Sequence, residues 1–283
     1  MKSKPQIVEM VKGGYISLNR LSLPSTSGYP LIVTHGTLSN AKVVRGLGRY
    51  LAQMGFDCWL LEWGGHGQSK AASKRQNFEY PGFHDVPTAI SAVLKFTQKP
   101  KLYWISHSGG GHLLMMYLAR HSKKQSEIAG FVTIGTQATD AALNLRQKIK
   151  ASYYWGVTML LSETPPSMLP AGNEGEPTCL LAQWFWWNIR QQWVGTDGFD
   201  YLSALSKLTL PAMILAGGND IIAPASGCLK FFDSLGSTDK TWLLCAESTG
   251  FSQNFTHEQL VIGREAHSEV FPHIGNWLVQ RNS

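Results

Sequence analysis

The stretch Tyr103–Leu114, YWISHSGGGHLL, sets one serine and three consecutive glycines between two apolar runs. KLYWISH reads as a strand ending near Ser106, and GGHLLMMYLARHS as a helix beginning near Gly109. HLLMMYLA is apolar nearly all round, so this helix should lie packed against a sheet with little exposure. Ser108 therefore falls on a sharp strand-to-helix turn, where a nucleophile would be held in a strained backbone conformation. The residues two before and two after such a serine must be small, and here they are Ser106 and Gly110. The helix N-terminus would point its free amides at the serine. Taken alone, the stretch fits a nucleophile and an incidental hydroxyl in a glycine loop equally well.

Outward from this turn, short apolar runs alternate with helical patterns. QIVEMV, GYISLNRLSL, PLIVTHG, FDCWLLEW, KLYWISH, GFVTIG, PAMILAGG and TWLLCAE read as strands. Most are near-continuous apolar runs, as parallel strands buried on both faces require. AKVVRGLGRYLAQMG, DVPTAISAVLKFTQ, GGHLLMMYLARHS and ASGCLKFFDSLG read as the helices between them. The alternation predicts an α/β fold with a mostly parallel central sheet flanked by helices. It breaks once. ASYYWGVTML and LLAQWFWWNIRQQW hold five of the ten tryptophans, around the turn-rich SETPPSMLPAGNEGEP. Residues 137–208 are therefore expected to form an inserted, helical, aromatic-rich lid or cap, with 1–136 and 209–283 making the core.

With 283 residues and 43% hydrophobic content, the chain can bury a sizeable core. MKSKPQIVEM has no apolar run behind its lysines, and no stretch is long and apolar enough to span a bilayer. A soluble protein without stable membrane insertion is expected. The net charge of +6 is spread in small groups such as RHSKK and RQKIK, which reads as a solvated surface and not a nucleic-acid site. Cys58, Cys179, Cys228 and Cys245 fall at irregular spacings, as reduced thiols in a cytoplasm would. Neither a dinucleotide fingerprint nor metal-ligand spacing occurs, so no cofactor and no metal are expected.

With these residues in view, the chain resembles the α/β-hydrolase superfamily, in particular its serine esterases and acid-lipase-like members. LIVTHGTLSN looks like the strand and His-Gly turn that supply half of an oxyanion hole. The resemblance implies that the backbone N–H groups of Thr37 and Gly109 bind the oxyanion, with His35 shaping the loop. LLEWGGHGQS is similar to the family's D-x-R-G-x-G-x-S turn but departs at Glu62 and Gly64, which leaves it a structural role. The family orders its triad serine, acid, histidine. PAMILAGGNDIIAP offers Asp220, with Asp140 as the alternative. THEQLVIGREA resembles the H-x-x-x-x-x-G-x-x-A segment whose leading histidine is catalytic, which assigns His257. His267 competes, since Ser268 and Pro272 look like the start of a final helix.

Ser108, Asp220 and His257 in these roles imply acyl transfer through an acyl-enzyme. The expected activity is hydrolysis of a small lipophilic carboxylic ester, lactone or thioester, with Trp155, Trp184 and Trp187 of the lid contributing to substrate binding. Two alternatives stay open: an acyltransferase using the same triad, and a non-catalytic fold that binds ligand in the same cavity. Oligomeric state is not legible.

Overall fold

A parallel strand that is buried on both faces needs apolar side chains at nearly every position, and most of the eight candidate runs meet that demand. All eight form strands: β1 Pro5–Glu9, β2 Tyr15–Leu21, β3 Leu31–Thr34, β4 Cys58–Glu62, β5 Leu102–His107, β6 Ile128–Ile134, β7 Ala212–Gly217 and β8 Lys240–Cys245. They make one sheet in the order β1-β2-β4-β3-β5-β6-β7-β8. β1 and β2 are antiparallel, β2 pairs antiparallel with β4, and from β4 to β8 every neighbour is parallel. The computed structural model describes residues 5–9, 13–21, 28–73, 76–161, 163–168 and 173–281.

Helices cover both faces: α1 Ala41–Gln53, α2 Glu79–Thr97, α3 Gly109–Arg120, α4 Leu145–Leu160, α5 Thr178–Arg190, α6 Tyr201–Ala204, α7 Ala225–Ser234 and α8 Phe271–Val279. Alternate strand residues feed two cores. Ile32, Trp59, Leu61 and Trp104 meet α2 and α3, whereas Leu31, Val33, Leu60 and Ile105 meet α1 and α8. Every residue of α3 from Gly109 to Ala119 is buried, as its all-round apolarity predicts.

α2 starts six residues earlier than the expected start at Asp85. The Asn77 side-chain Oδ1 accepts the amides of Glu79 and Tyr80 and so satisfies part of its first turn. Pro81 lies within that turn, where a missing N–H costs little. Ser268 does not cap the final helix. It sits inside a π-helical turn, Ala266–Val270, that leads into α8, and its hydroxyl donates to the Arg264 carbonyl. Between β6 and β7 the chain departs from the sheet through α4, α5 and α6, with α4 packed on α5. Among the described residues, no helix is long and apolar enough to cross a membrane.

Candidate active site

β5 runs directly into α3, and the reversal falls on Ser108, whose backbone sits at φ 51°, ψ −123°. Such a conformation is costly for a residue with a side chain, about 1–3 kcal/mol, and persists only when its surroundings impose it. They do so here. The Ser108 amide donates to the Ile134 carbonyl at 2.8 Å, while its carbonyl accepts the Gly111 amide and the Thr136 hydroxyl. A Cβ at Gly110 would lie 2.5 Å from the His35 carbonyl oxygen, so this position admits only glycine. Ser106, the departure from the smallest residue, is accommodated because its buried hydroxyl donates across to the Val132 carbonyl of β6 at 3.2 Å.

Asp220 stands in the turn after β7. Its Oδ1 accepts the amides of Ile222 and Ala223 at 2.9 and 2.7 Å, and its Oδ2 accepts Nδ1–H of His257 at 2.7 Å. Burial opposes ionisation of Asp220, but the His257 ring and the two amides outweigh it and hold the carboxyl below its usual range. With Nδ1 committed, Nε2 is the ring nitrogen left to take a proton. The His257 carbonyl in turn accepts Nε2–H of His107 at 3.1 Å. Burial, with His257 nearby, lowers the His107 imidazole to about 3, so it stays neutral. Gly135 admits the pair: a Cβ there would lie 3.2 Å from both Asp220 Oδ2 and the His257 ring. Gly135, which touches the pair, lines one pocket with Ser108. No hydrogen bond joins Ser108 Oγ to His257 in this structure; such contacts are often long before substrate binds.

The alternatives lie elsewhere. His267 is exposed, its ring against Tyr50 and Phe271 on the α1 and α8 face. Asp140 is paired with Lys230 at 2.5 Å and accepts the Thr139 hydroxyl. His112 does line the Ser108 pocket, but its Nε2–H is donated to the Gln137 carbonyl at 2.8 Å, and burial lowers it to about 4.

Thr37 and Gly109 lie close together: a Cβ at Gly109 would lie 3.1 Å from the Thr37 amide nitrogen, and both residues line the Ser108 pocket. His35 is buried, donates Nδ1–H to the Gly36 carbonyl at 2.7 Å and stacks on Trp63, as a loop-shaping residue does. Leu38, which follows Thr37, has φ 54°. Its conformation is fixed from a distance. Leu38 N–H donates to Glu176 Oε2 at 2.7 Å, and the Leu38 carbonyl accepts the amides of Asn173 and Glu174. Glu174 also accepts from the Asn40 side chain and the Gly67 amide. Glu176 Oε2 further pairs with His66 Nε2 at 3.1 Å, with both side chains fully buried. Burial alone would lower His66, but Glu176 outweighs it and raises the imidazole above its ordinary value.

Sequence reasoning missed Glu174, Glu176 and His66. The two acids sit in a turn-rich run, and His66 in a glycine turn with no partner nearby in the chain.

Asp85 belongs to the same polar cluster. It is fully buried and accepts the Gly64 amide at 2.6 Å. Burial raises its carboxyl to about 7, against the opposing pull of that amide and of His66. A carboxyl raised in the folded state contributes stability that is full below its unfolded value near 3.8 and is lost as pH rises through 7. Asp85→Asn keeps an acceptor and cannot ionise. Urea denaturation should show it more stable than the parent at about pH 8, by about 2–4 kcal/mol, with little difference at about pH 4. Equal pH slopes for the two proteins would refute this assignment.

The pocket at Ser108 is narrow, about 10 Å³, with Phe78, Leu181, Trp184 and Ile222 among its walls. Trp184 and Ile222 also face a cavity of about 460 Å³ bounded by Gln147, Lys150, Tyr154, Phe185 and Asn188. Of the three tryptophans expected at the substrate, only Trp184 reaches either space. Trp187 is buried against Phe78 and Trp193, its indole N–H donated to the Val194 carbonyl at 2.7 Å, and Trp155 packs on Trp186.

The family described as the alpha/beta hydrolase fold matches residues 29–172. The chain belongs to that family. Solved structures similar to it include a soluble variant of monoglyceride lipase from Saccharomyces cerevisiae in complex with a substrate analogue, with TM-score 0.73, 16% identity, and 100% of this chain and 96% of that one covered. An esterase from Exiguobacterium antarcticum has TM-score 0.69 and 15% identity, over 96% of this chain and all of that one. A thermophilic esterase from Thermogutta terrifontis has TM-score 0.67 and 13% identity, over the whole of both chains. No curated protein matches the sequence.

Proposed function

We propose that the protein is a serine hydrolase of carboxylic esters. Ser108 attacks the carbonyl while His257 Nε2 takes its proton, and Asp220 orients the ring and stabilises its charged form. The tetrahedral oxyanion is held by the amides of Thr37 and Gly109, the alcohol leaves with the proton from His257, and water repeats the sequence on the acyl-enzyme. No cofactor enters this chemistry. The observation that carries the reading is the Asp220–His257 hydrogen bond, together with a serine held at positive φ on the strand-to-helix turn.

Residues 137–208 are read as a cap over this site, and Trp184 as the wall that a lipophilic acyl or alkyl group meets. The similarity in fold to esterases and a monoglyceride lipase supports ester chemistry. The four cysteines are free, which fits a reducing cytoplasm.

A fluorophosphonate probe and p-nitrophenyl esters of several chain lengths test the assignment. The parent and His267→Ala should label and turn over, whereas His257→Ala should lose activity by three or more orders of magnitude, or about 10³-fold. A parent that neither labels nor turns over rejects the hydrolase. Loss of activity in His267→Ala with retention in His257→Ala rejects the base.

A further inference from the structure

α4 exposes apolar side chains that none of the described residues covers: Leu145 is 75% exposed, Ile149 62%, Tyr153 66% and Leu160 88%. At about 100° per residue, these four fall within about 80° of the helix circumference and run along it for about 22 Å. Ala151 and Thr158, the buried residues of α4, lie on the opposite side. The apolar stripe is thus the outermost ridge of the helix and faces away from the protein. Trp186 on α5 is 42% exposed, packs at a tilt on Trp155 and carries the Arg190 guanidinium over its ring.

Within α4 and α5 the charge beside this ridge is of one sign. Arg146 and Lys150 border it on one side and Lys148 on the other. With Arg190, these make four cations on α4 and α5, which together carry no carboxylate. The whole chain has a net charge of +6.

We propose that this face of α4 lies in the plane of an anionic lipid bilayer, with Leu145, Ile149, Tyr153 and Leu160 among the acyl chains and the cations at the headgroups. The pattern is that of an interfacial helix: a narrow apolar face, flanking Lys and Arg, and aromatic residues at the boundary. A second copy of the chain fits poorly, because self-pairing through this ridge would bring the four cations against four more. A convex ridge also offers no groove for a peptide. Gln147, Lys150 and Tyr154 of the same helix border the cavity of about 460 Å³, so a lipophilic molecule leaving the bilayer would meet that cavity beside α4. Only this last step rests on the proposed ester hydrolysis; bilayer binding does not.

Full-length Ser108→Ala protein, which binds whether or not it turns over, is sedimented with vesicles of phosphatidylcholine alone or with 30% phosphatidylglycerol. Binding should be at least ten-fold tighter to the anionic vesicles and should weaken in high salt. The triple variant Leu145→Gln, Ile149→Gln, Leu160→Gln should lose at least ten-fold in affinity with an unchanged melting temperature, since all three side chains are exposed. Arg146→Gln, Lys148→Gln, Arg190→Gln should abolish the preference for anionic lipid. Failure to bind either vesicle at low salt, equal binding to both, or undiminished binding by the apolar variant overturns the proposal. So does a micromolar dimer that the apolar variant dissociates. Each of these outcomes is independent of whether the parent protein hydrolyses a soluble ester.

Discussion

Ser108→Ala is expected to lower kcat for a soluble p-nitrophenyl ester by about 10⁴- to 10⁶-fold while leaving KM and the fold nearly unchanged. The alanine keeps the Cβ and removes only the atom proposed to attack. Because triad members act as a unit, adding His257→Ala should cost little more. The same position tests the strain in the turn. Alanine retains the unfavourable φ of 51°, whereas glycine relieves it, so Ser108→Gly should be more stable than Ser108→Ala by about 1 kcal/mol in thermal denaturation. Both variants should be inactive. If Ser108→Ala turns over like the parent, the proposed nucleophile is wrong; if glycine is the less stable of the two, the strain is not stored there.

Glu176→Ala is expected to destabilise the protein by about 3–5 kcal/mol at mildly acidic pH, because it strands a buried imidazole and the Leu38 amide together. Glu176→Gln separates the two losses: the amide oxygen can still accept from Leu38, but the negative charge beside His66 is gone. The sign of the pH effect follows from the raised His66 value. Stabilisation by the pair is full below the unfolded histidine value of about 6.5 and is lost as pH rises through the folded one. The deficit of Glu176→Gln relative to the parent, measured by urea denaturation, should therefore shrink between about pH 6 and pH 9. A deficit that grows with pH would contradict the pair. Since the Leu38 turn adjoins Thr37, kcat should also fall in Glu176→Ala, by about ten- to a hundred-fold.

What could be read from the sequence divides along a physical line. Strands buried on both faces are apolar nearly throughout, so β3 to β7 are visible as runs, whereas β1, β2 and β8 are less buried and carry polar residues. Ser108, Asp220 and His257 stand out because each sits at a turn with its own local signature, and the structure brings Asp220 and His257 into contact. Ser106 looks like a defect until Gly110 and the Val132 carbonyl are seen around it. Pairings such as Glu176 with His66, 110 positions apart, leave no local trace. Nor does tryptophan content reveal orientation. Trp184 and Trp187 are three residues apart on α5, yet one reaches the pocket and the other packs away from it.

The hydrogen bonds between residues 173–176 and Leu38, Asn40 and Gly67 also bear on how the stretch between β6 and β7 could be replaced. Segments inserted between β6 and β7 look like interchangeable parts, free to be transplanted for a new specificity. Here such a graft would carry away the carboxylates that fix Leu38 and neutralise His66, leaving the host core with a malformed loop at Thr37. A transplant that keeps the turn Asn173–Glu176 with the recipient core, and swaps only α4 and α5, would respect the real seam in this protein.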